Sequence, residues 1–261
     1  MIKALINNKW DTIPTENLQI GSKTFAFKSG LYETFRTLNH KLSFIEPHLD
    51  RLFKSAENTG LKIQYTRMEI LEMVEHCISE YHEPNQRVRI LAIPEKLIIY
   101  TSSLDLDISI YAGVSTITVK GIRETPNIKT TNYKVCLDAW KQARIKACFE
   151  AIMTNEDGYV FEGSRSNIFW VKNGKLFTRK DNILPGVTRQ IVIALSPILV
   201  LFGYLNQNEF KSLDELFLTN SGSGIVPITR VNNEIISNGK PGFITNKLQG
   251  YYREQMEKET L

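Results

Sequence analysis

Gly121-Ile-Arg-Glu-Thr-Pro-Asn127-Ile-Lys129-Thr-Thr-Asn132-Tyr133 separates two differently patterned parts of the chain. Residues 121–128 read as a linker, because a glycine, a proline and several polar residues interrupt the apolar periodicity on both sides. Upstream, Ile2 to Ile6 and Leu31 to Arg36 read as strands. Ile45 to Asn58 reads as a helix, with Pro47 in its first turn, Gly60 past its end, and Leu49, Leu52, Phe53 and Ala56 recurring at helical spacing. A second helix is predicted from Arg67 to Tyr81, then strands at Arg87 to Ile93, Lys96 to Thr101, Asp107 to Tyr111 and Ser115 to Lys120. Downstream, a helix from Tyr133 to about Ala147 leads to strands near Ala151, Val160, Ile168 and Leu176. A helix from Val187, strands at Leu216 to Thr219 and Ile225 to Arg230, and a last helix near Asn246 to Lys258 complete the pattern. No internal repeat is visible. The expectation is two α+β domains, 1–120 and 129–261, joined by the linker.

A chain of 261 residues can bury one large core or two modest ones. Its 42% hydrophobic and 23% charged content excludes disorder. The net charge of +4 is spread along the chain, and no basic block is interleaved with aromatics, so no nucleic-acid partner is expected. Mild basicity suits a small anionic ligand. Cys77, Cys136 and Cys148 lack Cys-x-x-Cys spacing, and no signal peptide is evident, so free thiols and a cytoplasmic location are expected. The longest apolar run, Ile191 to Phe202, is too short for a membrane span. The four histidines are scattered, so no metal site is expected.

Four segments carry chemistry. Lys129 follows the linker among small polar residues and supplies an amine. Glu162 closes a strand in Tyr159-Val-Phe-Glu-Gly-Ser-Arg-Ser-Asn167 and supplies a carboxylate beside a glycine. Leu184-Pro-Gly-Val-Thr-Arg189 opens an apolar helix, whose unpaired N–H groups and positive dipole end favour an anion. Thr219-Asn-Ser-Gly-Ser-Gly224 follows a strand and can aim successive N–H groups at a carboxylate or phosphate. Arg51, a turn after His48 on the first helix, can clamp a phosphate. Each reads alone as ordinary structure: a surface lysine, a turn glutamate, a capped helix, a flexible turn, a surface ion pair. Together they fit one ligand, pyridoxal phosphate (PLP). An amine forms a Schiff base with its aldehyde, a carboxylate keeps its ring nitrogen protonated, and N–H groups with a cation hold its phosphate. No Walker lysine, Gly-x-Gly-x-x-Gly or Gly-x-Ser-x-Gly element points to a nucleotide or a serine hydrolase.

The order of these segments resembles the class IV PLP-dependent aminotransferases, of fold type IV. That family includes branched-chain and D-amino-acid aminotransferases and aminodeoxychorismate lyase. The matching elements run from Gly30-Leu-Tyr-Glu-Thr-Phe-Arg36 and His48-Leu-x-Arg-Leu52 through Lys129-x-x-Asn132, Glu162-Gly-x-x-x-Asn167 and Leu184-Pro-Gly-Val-Thr-Arg189 to Phe217-Leu-Thr-Asn220 and Pro227. The resemblance implies a smaller N-terminal α/β sandwich, a larger barrel-like C-terminal domain with PLP in the cleft, and a homodimer. It implies that Lys129 binds the cofactor covalently and is catalytic, and that Glu162 meets the pyridine nitrogen. Arg51, Val187, Thr188 and Ser221 would form the phosphate cup. Asn220, Gly222 and Ser223 would meet the substrate, with Tyr32, Thr34, Arg89 and Tyr133 lining its pocket. The Arg-Gly that D-amino-acid aminotransferases carry after the strand ending Ala92-Ile-Pro-Glu95 is absent.

The expected reaction is transfer of an amino group from a branched-chain-like amino acid to a 2-oxo acid. The alternative is 4-amino-4-deoxychorismate lyase, releasing pyruvate and 4-aminobenzoate. Tyr133 after Asn132 resembles the aminotransferases, whereas Asn220 with Thr34 resembles the lyase. A catalytically silent PLP binder would have no need of both Lys129 and Glu162.

Overall fold

A computed structural model describes residues 1–259, which form two compact units. The first comprises Met1–Asp105, Ile128–Lys134 and the segment from Met256; the second comprises Leu106–Asn127 and Val135–Gln255.

The first unit contains β1 (Ile2–Ile6), β2 (Lys9–Ile13), β3 (Leu31–Leu38), β4 (Lys41–Ser43), α1 (Ile45–Thr59), α2 (Arg67–Ser79), β5 (Gln86–Ile93) and β6 (Lys96–Ser103). The strands form an antiparallel sheet in the order β2-β1-β6-β5-β3-β4. Strand alternation sorts its side chains into two cores. Leu5, Leu31, Phe35, Val88, Ile90 and Ile99 pack with Leu49, Leu52, Ile70 and Val74 of α1 and α2. Ala4, Tyr32, Leu91, Ile98 and Tyr100 build a second cluster, against which Phe25, Phe27 and Tyr133 pack. The helix limits follow their signals. Gly60 closes α1 in the left-handed region at φ 68°, and Thr66 with Glu69 forms a capping box on α2.

The second unit contains β7 (Val114–Lys120), α3 (Lys134–Ile145, of which Lys134 is grouped with the first unit), β8 (Glu150–Thr154), β9 (Val160–Gly163), β10 (Asn167–Lys172), β11 (Lys175–Thr178), α4 (Val187–Leu195), β12 (Val200–Phe202), β13 (Glu215–Asn220), β14 (Gly224–Val231), β15 (Glu234–Ile235) and α5 (Phe243–Glu259, whose end from Met256 is likewise grouped with the first unit). Its mixed sheet runs β12-β11-β10-β13-β14-β7-β8-β9, with β15 on β14, as a half-barrel. The α+β architecture with two sheets agrees with the sequence expectation. Ile168, Trp170, Leu216, Leu218, Val226 and Ile228 fill one core, while Phe169 and Phe217, cross-strand partners, stack at 5.0 Å.

Several elements differ from the sequence expectation. Asp107 to Tyr111 is not a strand: Asp107 accepts the Ser109 N–H at 2.8 Å and starts a 3₁₀ helix, Ile108–Ala112. β2 pairs with β1 across Asn7 and Asn8, both at positive φ, a two-residue hairpin that the strand pattern did not reveal. α5 starts at Phe243 rather than near Asn246, because the distant Glu215 carboxylate accepts the Ile244 and Thr245 N–H groups at 2.9 and 2.7 Å. Contacts also divide the chain differently from the 1–120 and 129–261 reading. β7 pairs in parallel with β8 and β14, so it joins the second unit, while Ile128–Lys134 runs beside β3 of the first.

A buried polar staple ties α1 to β3. Glu33, 1% exposed, accepts from Arg51 Nε at 2.8 Å and Nη2 at 2.6 Å, and from His48 Nδ1 at 2.8 Å. Burial alone would raise the Glu33 carboxyl, but the Arg51 charge and the hydrogen bonds from Arg51 and His48 outweigh it and hold it down at about 2. Burial lowers the His48 value despite the carboxylate, so its neutral ring donates through Nδ1.

Both groups have depressed folded-state values, so each contributes stability above its unfolded value that is lost on acidification. Urea unfolding should show stability falling first below about pH 6.5 as unfolded His48 takes up its proton. It should fall again between 4.5 and about 2 through Glu33, on the order of 3 kcal/mol. Glu33→Gln should remove most of the second fall; a variant that retains it in full contradicts the assignment. Gly30 lies where a Cβ would land on the Ala92 carbonyl oxygen. Gly30→Ala should therefore cost about 1–3 kcal/mol by overpacking, and an unchanged urea midpoint would count against this contact.

Candidate active site

In the first unit, the segment carrying Lys129 is held as a short extra rung on β3. The Tyr32 N–H donates to the Lys129 carbonyl at 3.1 Å and the Thr131 N–H to the Gly30 carbonyl at 2.8 Å. Thr131 Oγ1 accepts the Gly30 N–H at 2.9 Å, and Leu31 bridges Thr130. These bonds leave Lys129 half-buried, with Nζ 4.4 Å from the centre of the Tyr32 ring. Tyr133 meets the same ring edge-on at 6.0 Å.

The alternation that turns Glu33 toward α1 puts Tyr32 and Thr34 on the opposite face. Thr34 pairs with Arg89, and Arg89 with Tyr100, across β3, β5 and β6. Arg89 Nη1 donates to the Tyr100 hydroxyl at 3.3 Å, while its Nε is buried with no hydrogen-bond partner. Lys129, Tyr32, Thr34, Arg89 and Tyr133 thus belong to one side of this sheet. Arg51 comes from the helix on the other side, its fork fixed by Glu33.

In the second unit, Glu162 is 5% exposed at the end of β9. Its Oε2 accepts the Leu184 N–H at 3.0 Å, and its Oε1 lies 3.7 Å from Arg123 Nη1. Arg123 also donates to the Pro126 carbonyl at 3.1 Å. Two residues beyond Leu184, Gly186 caps α4 without a side-chain bond, and Gln190 is the residue whose N–H closes the first turn onto the Gly186 carbonyl at 3.0 Å. The N–H groups of residues 187–189 therefore sit at an open helix end, next to the buried Thr188 side chain. Arg189 anchors this turn through Nη2 to the Arg179 carbonyl at 2.7 Å. Thr219, across from Asn167 on the paired strand, has a buried Oγ1 without a partner.

The loop after β13 closes on itself. Asn220 Oδ1 accepts the Ser223 N–H at 2.7 Å, and the Ser223 carbonyl accepts from the Tyr111 hydroxyl at 2.9 Å. Gly224 turns the chain at φ 70°, and an added Cβ there would meet the Tyr252 ring. Ser221 and Gly222 sit half-buried at the tip.

Sequence reasoning passed over three groups. Glu33 stands at an inward position of an alternating strand, which is a legible sign of a buried charge needing partners. Glu150, 0% exposed, accepts from the Ser164 hydroxyl, from Ser166 Oγ at 3.1 Å and from the Arg165 N–H at 3.2 Å, and so shapes the turn after Glu162. Arg123 lay hidden in the linker. Among the described residues no cluster of three or more His, Cys, Asp or Glu is placed to hold a metal ion, and no helix is long and apolar enough to cross a membrane.

With this geometry in view, comparison with known proteins is specific. The family model described as amino-transferase class IV matches residues 30–231. D-alanine aminotransferase of Staphylococcus epidermidis is 28% identical, covering 100% of both chains. A probable branched-chain-amino-acid aminotransferase of Aquifex aeolicus is 30% identical over 92% of this chain and 88% of its own. The structure of a T.th. branched-chain amino acid aminotransferase with pyridoxamine 5'-phosphate superposes with a TM-score of 0.84 at 19% identity, covering 98% of this chain and 94% of that one. The lyase alternative finds no support in these comparisons. The chain belongs to the class IV aminotransferase family and is an enzyme of that family.

Proposed function

We propose that this enzyme binds PLP and transfers the amino group of a branched-chain-like amino acid to a 2-oxo acid. The carrying observation is the hydrogen bond from the Leu184 N–H to Glu162 at 3.0 Å, two residues ahead of the open end of α4. One short turn thus holds a buried carboxylate and an anion-binding helix end, which suits a ligand with a basic ring nitrogen and a phosphate.

The bound PLP ring would supply the electron sink that weakens bonds at the substrate Cα. Lys129 would hold the cofactor aldehyde and then carry the proton at that carbon. Glu162 would hold the proton on the ring nitrogen, with the Arg123 guanidinium 3.7 Å from its Oε1. The phosphate would take the N–H groups of Val187 and Thr188, the Thr188 hydroxyl, Ser221 and Arg51. Glu33 would fix the orientation of the Arg51 fork. Gly222 and Ser223, in the turn shaped by Asn220, would meet the substrate carboxylate.

The chemistry near Lys129 supports this substrate pair. Tyr32 and Tyr133, backed by the buried Leu91, offer an aromatic wall, which suits a branched aliphatic side chain. Thr34 borders the same wall through Arg89. Arg89, with its unpartnered Nε, supplies a cation for the second carboxylate of a dicarboxylic acceptor such as 2-oxoglutarate. The family resemblance adds a homodimer, for which light scattering should give twice the 29.9 kDa of the chain; a mass of 29.9 kDa contradicts it.

Adding PLP to apo-protein should produce a visible-edge absorbance band that Lys129→Ala abolishes. With 2-oxoglutarate, the wild type should consume leucine, isoleucine or valine. Glu162→Gln should keep the cofactor but lose about 100-fold or more in kcat. Turnover of D-alanine alone, or a band that survives Lys129→Ala, would overturn the assignment.

A further inference from the structure

Resting on the PLP reading above, we infer that Asn167 is a positioning residue. Its carboxamide locks the Leu184–Gly186 turn, so that the Glu162 carboxylate and the open end of α4 meet a cofactor as one rigid element.

Three contacts converge on one peptide. The Leu184 N–H donates to Glu162 Oε2 at 3.0 Å. The Leu184 carbonyl accepts from Asn167 Nδ2 at 2.9 Å and from the Gly186 N–H at 2.8 Å. The second of these closes a tight three-residue turn that leads into α4. Asn167 is 3% exposed and starts β10, where it pairs with Thr219 in the centre of the sheet. It is therefore a fixed point against which the turn is referenced.

Gly186 shows how closely the carboxamide fits. A Cβ there would fall on Asn167 Oδ1, although the Gly186 φ of −65° is open to any residue. The glycine is thus required by the asparagine rather than by the backbone. Glu150 braces the other end of the same segment, through the Ser164 and Ser166 hydroxyls and the Arg165 N–H. The carboxylate is consequently referenced to the sheet on one side and, through Leu184 and Asn167, to the helix end on the other. A group that holds both should affect phosphate recognition and ring-nitrogen chemistry together, although it touches neither.

Apo-protein titrated with PLP and with pyridoxal, which lacks the phosphate, tests this. Asn167→Asp and Asn167→Ser each remove the donor to Leu184, and either suffices if the other fails to fold. The expected result is at least a tenfold weaker PLP Kd, a smaller PLP-to-pyridoxal affinity ratio, and a shifted pH titration of the bound cofactor's absorbance. An unchanged ratio, or a change in the ratio without a change in the pH titration, overturns the coupling. A second comparison separates positioning from packing. Gly186→Ala should lower Tm in the wild-type background, and Asn167→Ala with Gly186→Ala should restore Tm but not PLP affinity. Recovery of both would make Asn167 a packing residue and overturn the inference. Failure of the wild type itself to bind PLP would instead refute the functional reading.

Discussion

One hydrogen bond, from the Leu184 N–H to the Glu162 carboxylate, links the two chemical features of the second unit. A buried carboxylate is costly to leave without partners. Here it is satisfied by a backbone group at the threshold of a helix and by the nearby cation Arg123. The strand that carries Glu162 and the helix that opens at Val187 are therefore not independent, and whatever orders one orders the other.

The same device recurs across both units. Glu33 gathers Arg51 and His48, Glu150 gathers Ser164, Ser166 and the Arg165 N–H, and Glu215 gathers the start of α5. Each acid is fully or nearly fully buried, and each acts on a loop or helix end that hydrophobic packing alone would leave loose. Removing one partner from such a group costs more than the pair contributes, because a buried charge is then stranded. The apolar cores set the sheets, and the buried acids set the segments at their margins. Those margins are where Lys129, Glu162 and the helix opening lie.

Much of this was legible in the sequence, for local reasons. The strand-like run Leu31 to Arg36 placed most of β3, and the spacing of Leu49, Leu52 and Ala56 with Gly60 beyond placed α1. The four chemical segments stood out because small, polar and glycine residues interrupt otherwise apolar patterns. Most of what escaped was non-local. Glu215 lies 29 and 30 residues before the two N–H groups it caps, so the true start of α5 had no adjacent signal. The linker concealed that Arg123 belongs beside Glu162, and that the residues on either side of Asn127 join different units. Asp107 to Tyr111 alternates like a strand, yet one Asx hydrogen bond diverts it. The first two outcomes depend on partners brought together only by folding, whereas the Asx bond spans two residues and competes locally with the strand.

Nitrogen-15 NMR of ring-labelled PLP bound to the protein tests the central claim most directly. The account predicts a protonated ring nitrogen at neutral pH in the wild type and an unprotonated one in Glu162→Gln. The same protonation state in both proteins would show that Glu162 does not face that nitrogen, and would contradict the account.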